Sequence, residues 1–161
     1  MKLFSLVVLA MFSFANISWA AAGCYSPQEA EAEQGIRIHS ELMVIGLNCA
    51  HMADANGNNL FKEHQGFTKK HKELFATYER IIMNYMRRNG VSNTDKAMKS
   101  LRTKFANKIS TDAAQMRPDI FCRKFAGRIE KASKMDERSI RKWAATPFPS
   151  YPVSKPLCAA K

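Results

Sequence analysis

Residues 36–52 constrain this chain more than any other stretch. At about 100° per residue, Ile38, Leu42, Ile45, Cys49 and Met52 fall on one line of a helix. Ile36, Met43, Leu47 and Ala50 fall on a second line beside it, so the apolar arc is wider than a surface helix needs. Such a helix belongs at the centre of a fold, touched by several neighbours. It also carries Cys49, which must find a partner if the chain is exported.

Export is what the first residues suggest. Met1-Lys2 is a short positive start, residues 3–14 form an apolar run, and Ser18-Trp19-Ala20 is a small-x-small cleavage site. Residues 1–20 therefore read as a secretory signal, removed after Ala20. The run is shorter than the roughly 18 apolar residues a membrane-spanning helix requires, and no later stretch approaches that length. A second reading takes Ala21-Ala22-Gly23-Cys24 as a lipoprotein box that anchors the protein at Cys24. Against it, Ala stands where Leu is typical, and lipidation would leave an odd number of cysteines. The expected location is periplasmic or secreted.

Residues 21–161 are enough for one domain with a real core. Their cysteines, Cys24, Cys49, Cys122 and Cys158, are even in number, which in an exported chain favours two disulfides. None sits in a CxxC or CxxCH arrangement, so haem attachment, thioredoxin-like exchange and a zinc ribbon all lack their signature.

Charge is divided unevenly. Residues 21–60 hold Arg37 against Glu29, Glu31, Glu33, Glu41 and Asp54, a balance of −4. Residues 61–161 hold 23 basic and 9 acidic groups, a balance of +14. Behind an export signal, nucleic acid is not the expected partner. An anionic envelope polymer, lipid head groups or an acidic protein suit this charge better.

Punctuation marks out the helices. Ser26-Pro27-Gln28-Glu29 is a helix start, with a capping Ser, Pro in the first turn and an acid placed to meet the dipole. The first helix is expected to run to about residue 52, and the polar turn 54–59 sends the chain back. A second helix over 60–89 carries Leu60, His64, Phe67, His71, Leu74, Tyr78, Ile81, Ile82 and Tyr85 on one face, with a bend expected at Gly66 and a stop at Asn89-Gly90. A third opens at Ser92-Asn93-Thr94-Asp95 and turns Met98, Leu101, Phe105, Ile109 and Met116 inward. Arg117-Pro118 breaks the chain. The fourth helix follows with Phe121, Cys122, Phe125, Ile129 and Ala132 inside, and Asp136-Glu137 begins a short fifth with Ile140 and Trp143. Pro147, Pro149, Pro152 and Pro156 then enforce an extended tail. The expected fold is all-α: an up-and-down four-helix bundle over 27–146 with a short fifth helix, and a Pro-rich tail, 147–161, docked on the body.

Up-and-down parity places Cys49 and Cys122 at the same level near the top. Cys24 and the end of the tail with Cys158 lie at the bottom. The expected pairs are Cys49–Cys122 and Cys24–Cys158.

Chemistry is harder to find. The same ruler puts His39 and His71 at one height, both facing inward, with His64 about two turns above His71. These are weak candidates for a metal or small-ligand site, because Glu-x-x-His and HExxH patterns are missing. Methionines such as Met52 beside His51 suggest copper only faintly, since most Met positions carry core spacing. Glu41, on the polar edge of the central helix, is the one acid worth nominating as a proton donor for a lysozyme-like envelope hydrolase. A second carboxylate, Asp54 or Asp112, would have to stand about 5–10 Å away. Serine, cysteine and phosphate-loop motifs are missing. What remains is a positive stripe, Lys124, Lys131 and Lys134 continued by Arg138, Arg141 and Lys142, with Trp143 close by. The sequence leans away from catalysis and implies no cofactor. It points to an exported binding protein that uses this stripe.

Overall fold

Helix α1, Pro27–Asn48, starts with a reciprocal capping box: the Glu29 N–H donates to Ser26 Oγ, and the Ser26 N–H donates to a Glu29 carboxylate oxygen at 2.8 Å. In the computed structural model, which describes residues 23–53 and 57–159, five more helices follow. They are α2 (Leu60–Lys70), α3 (Lys72–Arg88), α4 (Thr94–Gln115), α5 (Pro118–Ser133) and α6 (Glu137–Ala145). No strand occurs among the described residues, and no helix there is long and apolar enough to cross a membrane. The expected signal, 1–20, and Asp54 lie outside them.

The starts use the expected side chains. Asn59, Asn93 and Asp136 each accept an N–H from the first turn of α2, α4 and α6, and Pro118 opens α5. Helix α3 ends on a Schellman pair, with Gly90 N–H on the Arg87 carbonyl and Val91 N–H on the Met86 carbonyl. Gly90 takes φ +79°, a conformation that costs glycine nothing.

Two boundaries differ from the sequence reading. Helix α1 stops at Asn48, and Cys49 caps it. The long second helix is two helices that meet at His71 (φ −113°, ψ 23°), while Gly66 stays helical inside α2. At the junction, His71 Nε2–H donates to the Met135 carbonyl at 3.2 Å and Lys70 Nζ donates to the same oxygen at 2.9 Å. The bend is thus pinned to the α5–α6 connection, a partner that local glycine chemistry does not reveal.

Helix α1 touches all five other helices, while α2 also packs on α5, and α4 on both α3 and α5. Gly35 allows the closest of these approaches: a Cβ there would collide with the buried Tyr78 ring of α3. The first apolar line of α1 is buried as expected, with Ile38, Leu42, Ile45 and Cys49 in the core. Of the second line only Ile36 is buried; Met43 and Leu47 are exposed, as is Met52 of the first, while Glu33, Gln34, Arg37, Ser40 and Glu41 are buried.

These buried polar groups fasten the fold. Glu29 pairs with Arg88 at the end of α3. Glu31 accepts from Tyr78 of α3 at 2.8 Å and pairs with Arg141 of α6 at 3.2 Å. Glu41 pairs with Arg128 of α5 at 2.8 Å. Glu33, fully buried, accepts Tyr25 O–H at 2.8 Å, the Ser154 N–H at 2.7 Å and the Ser154 hydroxyl. Gln34 and Arg37 donate to the carbonyls of Tyr151 and Pro152 at 2.6 and 2.9 Å. Residues 151–154 are thereby held along α1, and Tyr25 brackets the end by exchanging backbone hydrogen bonds with Pro156 and Cys158.

The disulfides are Cys24–Cys158 and Cys49–Cys122, the pairing expected from parity. A disulfide at Cys24 is incompatible with the lipoprotein reading, because the bridge and the thioether need the same sulfur.

Candidate functional site

Glu41 is the nominated acid, and the structure gives it an unusual setting. It is 2% exposed, and its Oε2 accepts from Arg128 Nη2. Its Oε1 is buried and meets no hydrogen-bond donor of the protein. One turn earlier on α1, Arg37 Nε is likewise buried without an acceptor. Both residues line a hollow of about 270 Å³, together with Arg128 and three aromatic side chains, Trp143 of α6 with Phe148 and Tyr151 of the following segment. Arg37 is held from outside the cavity by Glu33 at 3.8 Å, and its guanidinium lies 4.3 Å from the centre of the Phe105 ring. Burial pulls the Arg37 pKa down, and Glu33 and Glu41 pull it back up. An apolar hollow of about 560 Å³, lined by Pro147, Pro149 and Val153 among others, shares Gln34, Phe148 and Tyr151 with the cavity.

Among the described residues no second carboxylate lines this cavity, and Asp112 on α4 is not part of it. One Glu41 oxygen is instead occupied by the Arg128 guanidinium.

The histidines converge differently from the sequence reading. His39 meets His64, with ring centroids 5.3 Å apart, and the two share the Thr68 hydroxyl at 3.0 and 3.4 Å. His71 turns away to the Met135 carbonyl. The helical ruler assumed a straight second helix, and the bend at His71 breaks it. Among the described residues no three His, Cys, Asp or Glu side chains stand where they could hold a metal ion. His51 is exposed and shares a hydrogen bond with the Asn48 carbonyl.

Burial pulls the His39 pKa down to about 4, with His64 and Arg102 adding to the shift. Its folded pKa is therefore below its unfolded value of about 6.5. As pH falls through 6.5 the unfolded chain gains a proton that the folded chain refuses, so stability drops with falling pH until about 4. Thermal midpoints measured between pH 7 and 5.5, above most carboxylate titration, should decline in the native protein and decline less in His39→Gln. Parallel curves would show that His39 does not carry the effect.

Lys124, Lys131, Lys134, Arg138 and Lys142 are all exposed, and none forms an ion pair with a described residue. Arg141 leaves the stripe, because its guanidinium is held by Glu31 and Glu137. The bend adds what the sequence missed: Lys70 reaches Met135, next to Lys134, and exposed Lys72 follows it. Sequence spacing alone gave no sign that Lys70 reaches the α5–α6 connection.

No protein-family model, no curated protein and no solved structure matches this chain.

Proposed function

We propose that this chain is an exported, non-catalytic binding protein whose basic face on α5 and α6 holds an anionic polymer, lipid surface or acidic protein of the cell envelope. The observation that carries it is how the charge is sorted. The acids of α1 point inward or bind a partner on another element, whereas Lys124, Lys131, Lys134, Arg138 and Lys142 stand in solvent without a carboxylate partner among the described residues. Each of those acids is matched by one arginine, so the excess positive charge of the chain, formally +11, is left on cations outside these pairs. The two disulfides and the signal-like pattern of 1–20 support an extracytoplasmic location. Counting the bent α2–α3 pair as one element, we read the architecture as one domain: four main up-and-down helices, the short α6, and the proline-rich segment laid along α1.

Binding to dextran sulfate and to phosphatidylglycerol vesicles tests this reading. Affinity should fall steeply with salt, because exposed charges are screened over about 10 Å at 0.1 M. Lys131→Glu/Lys134→Glu should weaken binding about tenfold or more. Lys96→Glu/Lys99→Glu on α4 makes the same change in net charge on another helix and should weaken it less. Equal losses in the two variants, or binding indifferent to salt, would defeat the assignment of the face.

A further inference from the structure

The larger hollow, about 560 Å³, lies between the start of α1, the end of α6 and the proline-rich segment. We propose that it takes the hydrocarbon chain of a free medium-chain fatty acid, whose carboxylate is met at the rim by Lys142 and Arg138 of α6. The site uses those two cations of the basic face but not Lys131 or Lys134.

The ligand class follows from three observations. First, the wall offers few hydrogen bonds, even from its main chain. Pro147, Pro149 and Pro152 have no N–H to donate. The carbonyls of Phe148, Tyr151 and Pro152 already accept from the Tyr151 N–H, Gln34 and Arg37, at 2.9, 2.6 and 2.9 Å. Of the polar side chains, Glu31 is held by Tyr78 and Arg141, and the Thr146 hydroxyl donates to the Lys142 carbonyl at 2.7 Å. A docking peptide needs main-chain partners and a sugar needs side-chain ones, whereas a hydrocarbon needs neither. Second, the wall contains large apolar side chains that the fold leaves in water, Phe148 at 38% and Leu157 at 58% exposed. Covering them is favourable. The segment is also fixed beforehand, by Cys24–Cys158 and by the bonds from Ser154 to Glu33, so little order is lost on binding. The volume falls within the roughly 300–1,000 Å³ of small-molecule sites, and a hollow withdraws one chain from water where bilayer entry needs a protruding apolar face. Third, the rim is positive. Arg138, Lys142 and Ala145 stand at i, i+4 and i+7 on α6 and so share one face. Ala145 lines the hollow, while Arg138 and Lys142 are exposed and form no ion pair with a described residue. The acid in the wall, Glu31, is matched by Arg141. The charge left over suits an anionic head.

Calorimetric titration of the native protein with hexanoate, octanoate and decanoate tests this. Affinity should rise about two- to fourfold per added methylene, the upper value being that of full burial. Decanoate should reach a Kd of about 1 mM or tighter. Octanol should bind about fivefold more weakly than octanoate, and octyltrimethylammonium about tenfold or more. Lys142→Glu should weaken decanoate about tenfold and leave octanol unchanged. Leu157→Ser, a change at an exposed wall position, should weaken decanoate about fivefold. Lys131→Glu/Lys134→Glu should keep decanoate within about twofold of native while losing dextran sulfate, so this site and the basic face can fail separately. Affinity independent of chain length would overturn the proposal. Equal binding of octanoate and octyltrimethylammonium would do the same, as would decanoate binding unchanged in Lys142→Glu or in Leu157→Ser. Loss of phosphatidylglycerol vesicle binding in Leu157→Ser would set the wall against a bilayer and overturn it too.

Discussion

Glu33→Ala is expected to destabilise the protein by about 3–5 kcal/mol, the cost of breaking a buried, hydrogen-bonded ion pair from one side. Glu33 is 0% exposed and is the shared acceptor for Tyr25, for both donors of Ser154 and, at longer range, for Arg37. Removing it takes away the acceptor shared by the Tyr25 hydroxyl and by the Ser154 N–H and hydroxyl. Arg37 loses its nearest carboxylate and keeps the Pro152 carbonyl and the faces of Phe105 and Tyr151. The phenol of Tyr25 cannot compensate by ionising, because burial pushes its pKa up. For a chain of this size the thermal midpoint should fall by about 10 °C. Hydrogen exchange should show the Ser154 amide losing protection first, while Cys24–Cys158 still tethers the segment. Glu33→Gln keeps the shape and one acceptor, so it should fall between the two. A Glu33→Ala midpoint within about 2 °C of the native value, less than 1 kcal/mol by the same scaling, would show that these bonds form without holding anything.

The second large effect separates two mechanisms of disulfide stabilisation. From loop length alone, opening Cys49–Cys122, with a sequence separation of 73, costs about 4.5 kcal/mol. Opening Cys24–Cys158, with a separation of 134, costs about 5 kcal/mol by the same relation. Burial reverses that order. Cys49 and Cys122 are both completely buried between α1 and α5, whereas Cys158 is exposed. Cys49→Ala/Cys122→Ala therefore loses packing as well as the cross-link, which adds about 1–2 kcal/mol for the space left behind. Chemical denaturation of the two double variants should find the Cys49/Cys122 pair the less stable. The opposite order would mean that chain entropy dominates and that the core relaxes around the missing sulfurs.

Where sequence reasoning succeeded, the signal was local. Ser26, Asn93, Asp136 and Pro118 start helices because their side chains or ring satisfy or remove donors of the first turn. The stripes of α3 and α5 are buried as the 3.6-residue period requires. The same period carried Cys49 and Cys122 to one level and so gave the disulfide pairing. The cation stripe of α5 and α6 was legible too, because solvent-facing lysines need no partner. Arg141 was the exception, since Glu31 lies 110 residues away in sequence.

The candidate cavity was not legible. Glu41 was visible as a polar residue on an apolar helix, but its burial depends on Arg128, 87 residues further along. The aromatic walls come from a different helix and from the proline-rich segment. Hydrophobic periodicity treats every Glu and Arg as outward-facing, and on α1 that rule exposes the wrong side: Leu47 is 52% exposed while Glu33 is fully buried. A charged residue enters a core only where a distant partner offsets its desolvation, and no local pattern records such a partner. Sequence by itself therefore determined where most helices begin and which cysteines pair, which follow from backbone donors and apolar spacing. Tertiary structure alone decided which charges of α1 turn inward and where the chain bends at His71, because both depend on contacts between residues far apart in the chain.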